Sequence, residues 1–161
     1  MGFVEWLEQM SESGILVTFI IAMTPVFELR AAIPVGVSLG LPVLEALCVS
    51  IIGNMLPVPF ILIFIRRIFA WMRSHMTKIE HVVAKLEARA EEKREIVTQW
   101  QFWGLVVLVA VPLPGTGAWT GALVAALMDM RLKKAVPAIL LGVVIAGLIV
   151  TVVTYGIAAI F

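Results

Sequence analysis

Apolar positions run through this chain in four long blocks, and the polar positions that interrupt them fall in few places. The first block spans residues 13–44. It is too long for one comfortable crossing of a ~30 Å hydrocarbon core, and Thr24-Pro25, Glu28, Arg30, Pro34, Gly36 and Gly40 interrupt it. The pattern predicts a re-entrant hairpin that turns between Pro25 and Pro34. The second block occupies 45–65; from Ala46 to Ile65 it has no charge, which suits a transmembrane helix, although Pro57 and Pro59 kink or break its second half. The third covers 101–129. Its centre reads Val111-Pro112-Leu113-Pro114-Gly115-Thr116-Gly117, and two prolines with two glycines cannot sustain a continuous helix. A second re-entrant hairpin is expected there, broken at Pro112 and Pro114. The last block, 135–161, is long enough to span with some tilt.

Two stretches have amphipathic spacing instead. Phe3, Trp6, Leu7 and Met10 share a helical face opposite Glu5, Glu8 and Gln9, so 1–12 reads as an interfacial helix ended by Ser11 to Gly14. With no cation ahead of the first apolar run, it does not read as a secretory signal. Residues 66–100 carry eight Lys/Arg and five Glu. Thr77 with Glu80 forms a capping box, and Met72, Met76, Ile79, Val83, Leu86, Ala90, Val97 and Trp100 repeat at 4,3 spacing, broken at Lys93. This is an amphipathic helix on the membrane surface, or a coiled-coil seam.

Composition agrees. Hydrophobic residues make up 61% and charged residues 14%, and the mean hydropathy is +1.06. Soluble domains hold about 45–50% apolar and about 25% charged residues. The chain is an all-α integral membrane protein by this reading, forming a single membrane domain over 1–161, and a soluble enzyme is excluded.

Charge placement then orders the blocks. Outside the first block every Lys and Arg lies between Arg66 and Arg94 or between Arg131 and Lys134. The positive-inside rule puts both groups in the cytoplasm, with the chain in the plasma (inner) membrane and 66–100 cytoplasmic. A simple crossing by 101–129 would separate them, whereas a hairpin that enters and leaves on one side would not. Mirrored in 13–44, this gives an inverted repeat of re-entrant hairpin plus transmembrane helix. Gly36 with Gly40 and Gly117 with Gly121 form G-x-x-x-G pairs after each break, which serve close packing or arise by chance.

Paired broken segments at membrane depth point to a transport site. The amides of Gly115, Thr116 and Gly117 can point into such a site, where a half-helix from Ala118 would attract anions, with Thr116 or Thr120 as its cap. Glu28 and Arg30 are the charges of the first block. A mid-bilayer charge costs about 2.5–3.5 kcal/mol on insertion scales, so each needs a partner or a cavity. In an unwound tip they could pair. Arg30 suits a phosphate or carboxylate head group, and desolvation would let Glu28 exchange a proton. Asn54 faces the same cavity or bonds a neighbouring helix. Trp119 and Trp103 could offer cation–π contacts, although Trp103 also reads as an interfacial anchor.

Other chemistries find little footing. Cys48 stands alone in an apolar run, so no intramolecular disulfide is possible. His75 and His81 are six apart and solvated, so no metal site is expected. No phosphate-binding glycine loop and no basic, aromatic-interleaved patch occurs, so neither a nucleotide cofactor nor a nucleic acid partner is expected. No nucleophile–base pair marks an enzyme.

Glu28 to Gly36 (ELRAAIPVG), Gly53 to Phe60 (GNMLPVPF) and Pro112 to Leu123 (PLPGTGAWTGAL) resemble the small multidrug export protein family, and Gly142 to Thr151 is similar to its last span. The chain is also similar to the wider DedA (VTT-domain) superfamily, in which two opposed re-entrant hairpins occur and some members are implicated in moving polyprenyl-phosphate carrier lipids. The resemblance implies Glu28 and Arg30 as first-hairpin site residues and Pro112 to Trp119 as the second tip. One departure is that no arginine lies between Arg94 and Arg131, which removes a second arginine clamp on a phosphate.

The expected function is a transporter or lipid translocase that moves an amphipathic, lipid-phosphate-like substrate by alternating access between the two hairpins. The alternatives are proton-coupled export of small lipophilic cations through Glu28, or a non-transporting scaffold whose 66–100 helix recruits a partner. Substrate-contacting candidates are Glu28, Arg30, Asn54, Gly115, Thr116, Gly117, Trp119 and Thr120. Membrane lipids and an amphipathic substrate are the expected partners. Two spans and two hairpins make a thin bundle, so a homodimer is expected.

Overall fold

The structure is a computed structural model and describes residues 3–75, 84–85, 88, 101–113, 115–128 and 130–156. Every regular element among the described residues is helical: α1 (Phe3–Met23), α2 (Glu28–Ser38), α3 (Val43–Met55), α4 (Pro57–His75), α5 (Phe102–Ala110), α6 (Ala118–Leu127) and α7 (Leu132–Tyr155). Two stretches are long and apolar enough to cross a membrane, Val43–Ile65 and Leu132–Tyr155. Only 28% and 39% of their apolar windows are buried within the chain. The core helix of a soluble protein would bury most of such a window, so these helices present apolar surface to lipid or to another chain.

Several element boundaries differ from the sequence pattern, each for a physical reason. α1 runs unbroken through Ser11 to Gly14, where the pattern ended a separate interfacial helix. Ser and Gly are weak helix formers, and flanking turns carry the helix through them. Pro34 lies inside α2, so the first hairpin does not break there; its turn occupies Thr24–Phe27. Proline needs φ near −65°, which an α-helix already supplies. Pro57 opens α4, where its missing N–H is least costly. Leu56 keeps helical torsions before it, so α3 and α4 follow one another directly. α4 continues past Arg66 and Arg67 to His75. For the surface helix expected over 66–100, residues 76–83, 86–87 and 89–100 lie outside the described residues, as do Pro114, Asp129 and 157–161.

The chain divides into two compact units, Met1–Leu56 with Val143–Phe161, and Pro57–Gly142. In the first, α1, α2 and α3 pack against one another. Small residues permit the close approach. A Cβ at Gly36 would lie 2.6 Å from the Thr18 hydroxyl and 3.1 Å from the Ala46 Cβ. A Cβ at Gly53 would lie 2.7 Å from the Phe19 carbonyl oxygen and 2.9 Å from the Ala22 Cβ. Gly147 of α7 meets Leu47 and Ile51 of α3.

In the second unit α5 and α6 form a hairpin, and α4 packs on α6. Gly121 of α6 abuts Val109 of α5, and a Cβ at Gly142 of α7 would lie 2.6 Å from the Val109 Cβ. The two G-x-x-x-G pairs therefore do not act as pairs. Gly36 and Gly121 pack, whereas Gly40 and Gly117 sit at turns with positive φ.

Gly53→Ala is expected to destabilise the first unit by about 1–3 kcal/mol, because the obstruction is backbone rather than a movable side-chain tip. A lowered melting temperature in detergent would show this. A melting temperature equal to wild type would refute the tight α1–α3 contact.

Candidate functional site

Glu28 is where the first hairpin departs from regular geometry. It is the first residue of α2, it is only 5% exposed, and its φ is +50°. A non-glycine residue in the left-handed region costs of order 1–3 kcal/mol and persists where its surroundings hold it, often at functional sites. Short local bonds hold this turn: the Thr24 hydroxyl donates to the Ile21 carbonyl at 2.7 Å. The Glu28 amide donates to the Thr24 carbonyl at 3.1 Å. Arg30 is the third residue of α2 and is half-buried. The two charges therefore belong to a helix start rather than to an extended unwound tip.

Asn54 is fully buried on α3. The residue before it, Gly53, meets Phe19 and Ala22 of α1. Glu28 and Asn54 both belong to the first unit. Ser50 was not singled out from the sequence, yet it too is fully buried one turn before Asn54. Ser50 Oγ, Asn54 Oδ1 and Asn54 Nδ2 have no hydrogen-bond partner among the described residues. Each buried, unsatisfied group costs about 1–3 kcal/mol. The available signal was their spacing, two polar residues at i and i+4 in a span without charge. By contrast, the buried hydroxyls of Thr18 and Thr151 are satisfied by carbonyls four residues back, at 2.7 Å and 2.8 Å.

The second tip belongs to the other unit and is tied to itself. Thr116 is nearly buried. Its hydroxyl lies 2.6 Å from the Val111 carbonyl and 2.8 Å from that of Leu113, and it accepts the Leu113 amide at 3.2 Å. Thr116 therefore pins the turn; the N-cap of α6 is Gly117, with no side-chain cap. Gly117 has φ 136° and ψ −169°, a region that is essentially glycine-only, and Gly115 has φ 81°. Trp119 and Thr120 lie in the first turn of α6, both half-buried. Pro112 is in the non-helical tip and exposed.

A cavity of about 350 Å³ near the foot of this hairpin is lined by Gln101, Met128, Met130, Arg131 and Lys134. Its two cations give it anion-binding character. In the sequence these cations bear only on topology. Among the described residues no group of three His, Cys, Asp or Glu could hold a metal ion.

The family described as "Putative small multi-drug export protein" matches residues 28–149, about three quarters of the chain. No curated protein and no solved structure matches it.

Thr116→Val is expected to loosen the second tip and destabilise the protein by about 0.5–1.5 kcal/mol, since it removes the hydroxyl that donates to a turn carbonyl and accepts from the Leu113 amide, which keeps its bond to the Val111 carbonyl. Thr116→Ser should retain most of the stability. Thermal melts of the two variants check this, and equal melts would refute the pinning role.

Proposed function

Because the chain belongs to the small multidrug export family, we propose that it is a membrane exporter of small lipophilic cations, with Glu28 as the acid exchanged during transport. The observation that carries this reading is the contrast between the two charges of the first hairpin. Glu28 is buried and held in a strained torsion, whereas Arg30 is only half-buried. A buried carboxylate on an apolar path attracts a lipophilic cation and exchanges it for a proton. The drug reaches this acid from the lipid, where its apolar body already resides. Asn54, buried in the same unit, adds a polar contact. In the second unit, Trp119, Thr120, Gly115, Thr116 and Gly117 are the further residues this reading assigns to substrate contact.

The same reading places both hairpins as re-entrant elements of an inverted repeat. Their tips support it. Pro25, Val26 (82% exposed) and Phe27 occupy the first, and Pro112 and Leu113 (56% exposed) the second. Turns bathed in water are ordinarily polar, and turns this apolar suit membrane depth. Its location is the plasma (inner) membrane, with Arg66 to Trp100 cytoplasmic, by the placement of cations. The protein works without catalysing a covalent reaction and without a cofactor or nucleic acid. It functions as a homodimer in contact with membrane lipids, since most of each spanning window lies unburied within one chain.

A second reading, translocation of an anionic lipid phosphate, draws on Arg30 and on the cationic cavity beside Arg131 and Lys134. It is less well served, because that cavity lies at the foot of a hairpin rather than on a path across.

The two readings make opposite demands on two residues. Glu28→Gln is expected to abolish efflux of a fluorescent lipophilic cation from proteoliposomes, while Arg30→Ala keeps most of it. If Arg30→Ala abolishes efflux and Glu28→Gln does not, the cation reading fails. Crosslinking in native membranes is expected to capture a dimer; capture of monomer alone would count against the homodimer.

A further inference from the structure

The foot of the second hairpin carries cations where a helix disfavours them. Arg131 precedes α7, and its carbonyl accepts the Lys134 amide at 2.8 Å and the Ala135 amide at 2.9 Å. Arg131, Lys133 and Lys134 therefore crowd the start of a helix whose first turn holds no acid. The amino end of a helix is positive, so it repels cations and favours an anion. Asp129 is the one acid of the 129–134 loop, and against three cations it leaves a net charge of +2. The positive-inside rule accounts for a basic loop. It does not account for two of the three cations meeting at one cavity.

Arg131 and Lys134 are three residues apart, which sets them on one side of the turn. They line the cavity of about 350 Å³ together with Gln101, Met128 and Met130, whereas Lys133 does not. All five lining residues belong to the second unit. Gln101 supplies a neutral amide donor, and its backbone is held at φ +28°, strain of the kind kept at ligand clamps. Met128 and Met130 supply an adaptable apolar wall. Small-molecule sites span about 300–1,000 Å³, so this cavity suits a head group rather than a whole lipid.

The surrounding helices mark its depth. α5 starts at Phe102, α6 stops at Leu127, and the apolar span of α7 starts at Leu132. Trp103 is 57% exposed and meets Phe102 edge-on, with ring centroids 5.3 Å apart. Exposed tryptophans gather at the border between membrane and water. The cavity therefore lies at the level of the phospholipid phosphates.

We propose that this cavity binds the phosphate of an anionic phospholipid head group. Arg131 grips two phosphate oxygens, Lys134 adds a point charge, and Gln101 bonds the polar group beside the phosphate. The lipid is a resident of one membrane surface rather than cargo. The inference thus goes beyond the export reading and does not depend on Glu28.

The test is a thermal melt of the purified full-length protein in detergent at constant ionic strength. Short-chain phosphatidylglycerol, short-chain phosphatidylcholine and inorganic phosphate are titrated over the same concentrations. Phosphatidylglycerol is expected to raise the melting temperature saturably, as a ligand of the folded state does, and the other two should not match it. Arg131→Gln and Lys134→Gln should each lose most of that rise. Lys133→Gln removes the same charge from the same loop outside the cavity and should keep it, as should Lys134→Arg. All three side chains are exposed, so the variants should melt near wild type without lipid; should one glutamine variant fail to fold, the other carries the test. An equal response to phosphatidylcholine overturns the anionic head group, and an equal response to inorganic phosphate overturns the lipid. A rise lost as fully in Lys133→Gln overturns the cavity in favour of diffuse attraction to a basic loop. No rise in wild type, or a rise retained in both Arg131→Gln and Lys134→Gln, overturns the proposal outright.

Discussion

A polar group that cannot reach water must find its partner inside the chain, and the described structure is organised around that demand. Helices satisfy their own backbone, so the difficulty concentrates at the two tips where helix stops. The first tip closes through the Thr24 hydroxyl and the Glu28 amide, over three or four residues. The second closes through Thr116, whose hydroxyl serves Val111 and Leu113. Thr18 and Thr151 return their hydroxyls to carbonyls one turn earlier. Against this background Ser50 and Asn54 stand out, because their buried polar atoms have no partner among the described residues.

Lipid removes most of the hydrophobic drive for helices to associate, so close backbone approach has to hold them. Each unit achieves it with small residues at the contact. Gly36 admits Thr18 and Ala46, and Gly53 admits the Phe19 backbone. Gly121 and Gly142 both seat against Val109. Large apolar side chains fall on both sides: Leu29, Ile33, Leu105 and Ile139 are fully buried, while Leu16, Ile20, Ile52 and Phe60 are exposed. Glu28 and Asn54 lie buried in the first unit.

Much of the fold was legible residue by residue. The charge-free runs marked the two long helices, because hydrocarbon tolerates little else over that length. The Pro-Gly centre of 111–117 marked the second tip, since few backbones other than a turn accept it. Prolines were less reliable guides elsewhere. Pro34 and Pro57 both looked like breaks, yet one sits inside α2 and the other opens α4. A proline's fixed φ is compatible with a helix, and its lost N–H bond is tolerated where the surrounding helices make up for it, which its local sequence does not reveal. Ser11 to Gly14 misled for a related reason, as weak helix formers yield to the helix on either side of them.

The sequence by itself determined that this chain lives in a membrane, where its long helices run, and that Glu28 and Arg30 are the charges needing explanation. These follow from composition and from short-range pattern, which are properties of consecutive residues. Only the tertiary structure decided that Glu28 is buried and strained while Arg30 is half-buried, and that Thr116 pins its own turn. It alone brought Ser50 and Asn54 into an interior where their polar atoms have no partner among the described residues. Burial depends on which distant helices arrive beside a residue, and that is set by the close contacts at Gly36 and Gly53 rather than by any neighbour in the chain.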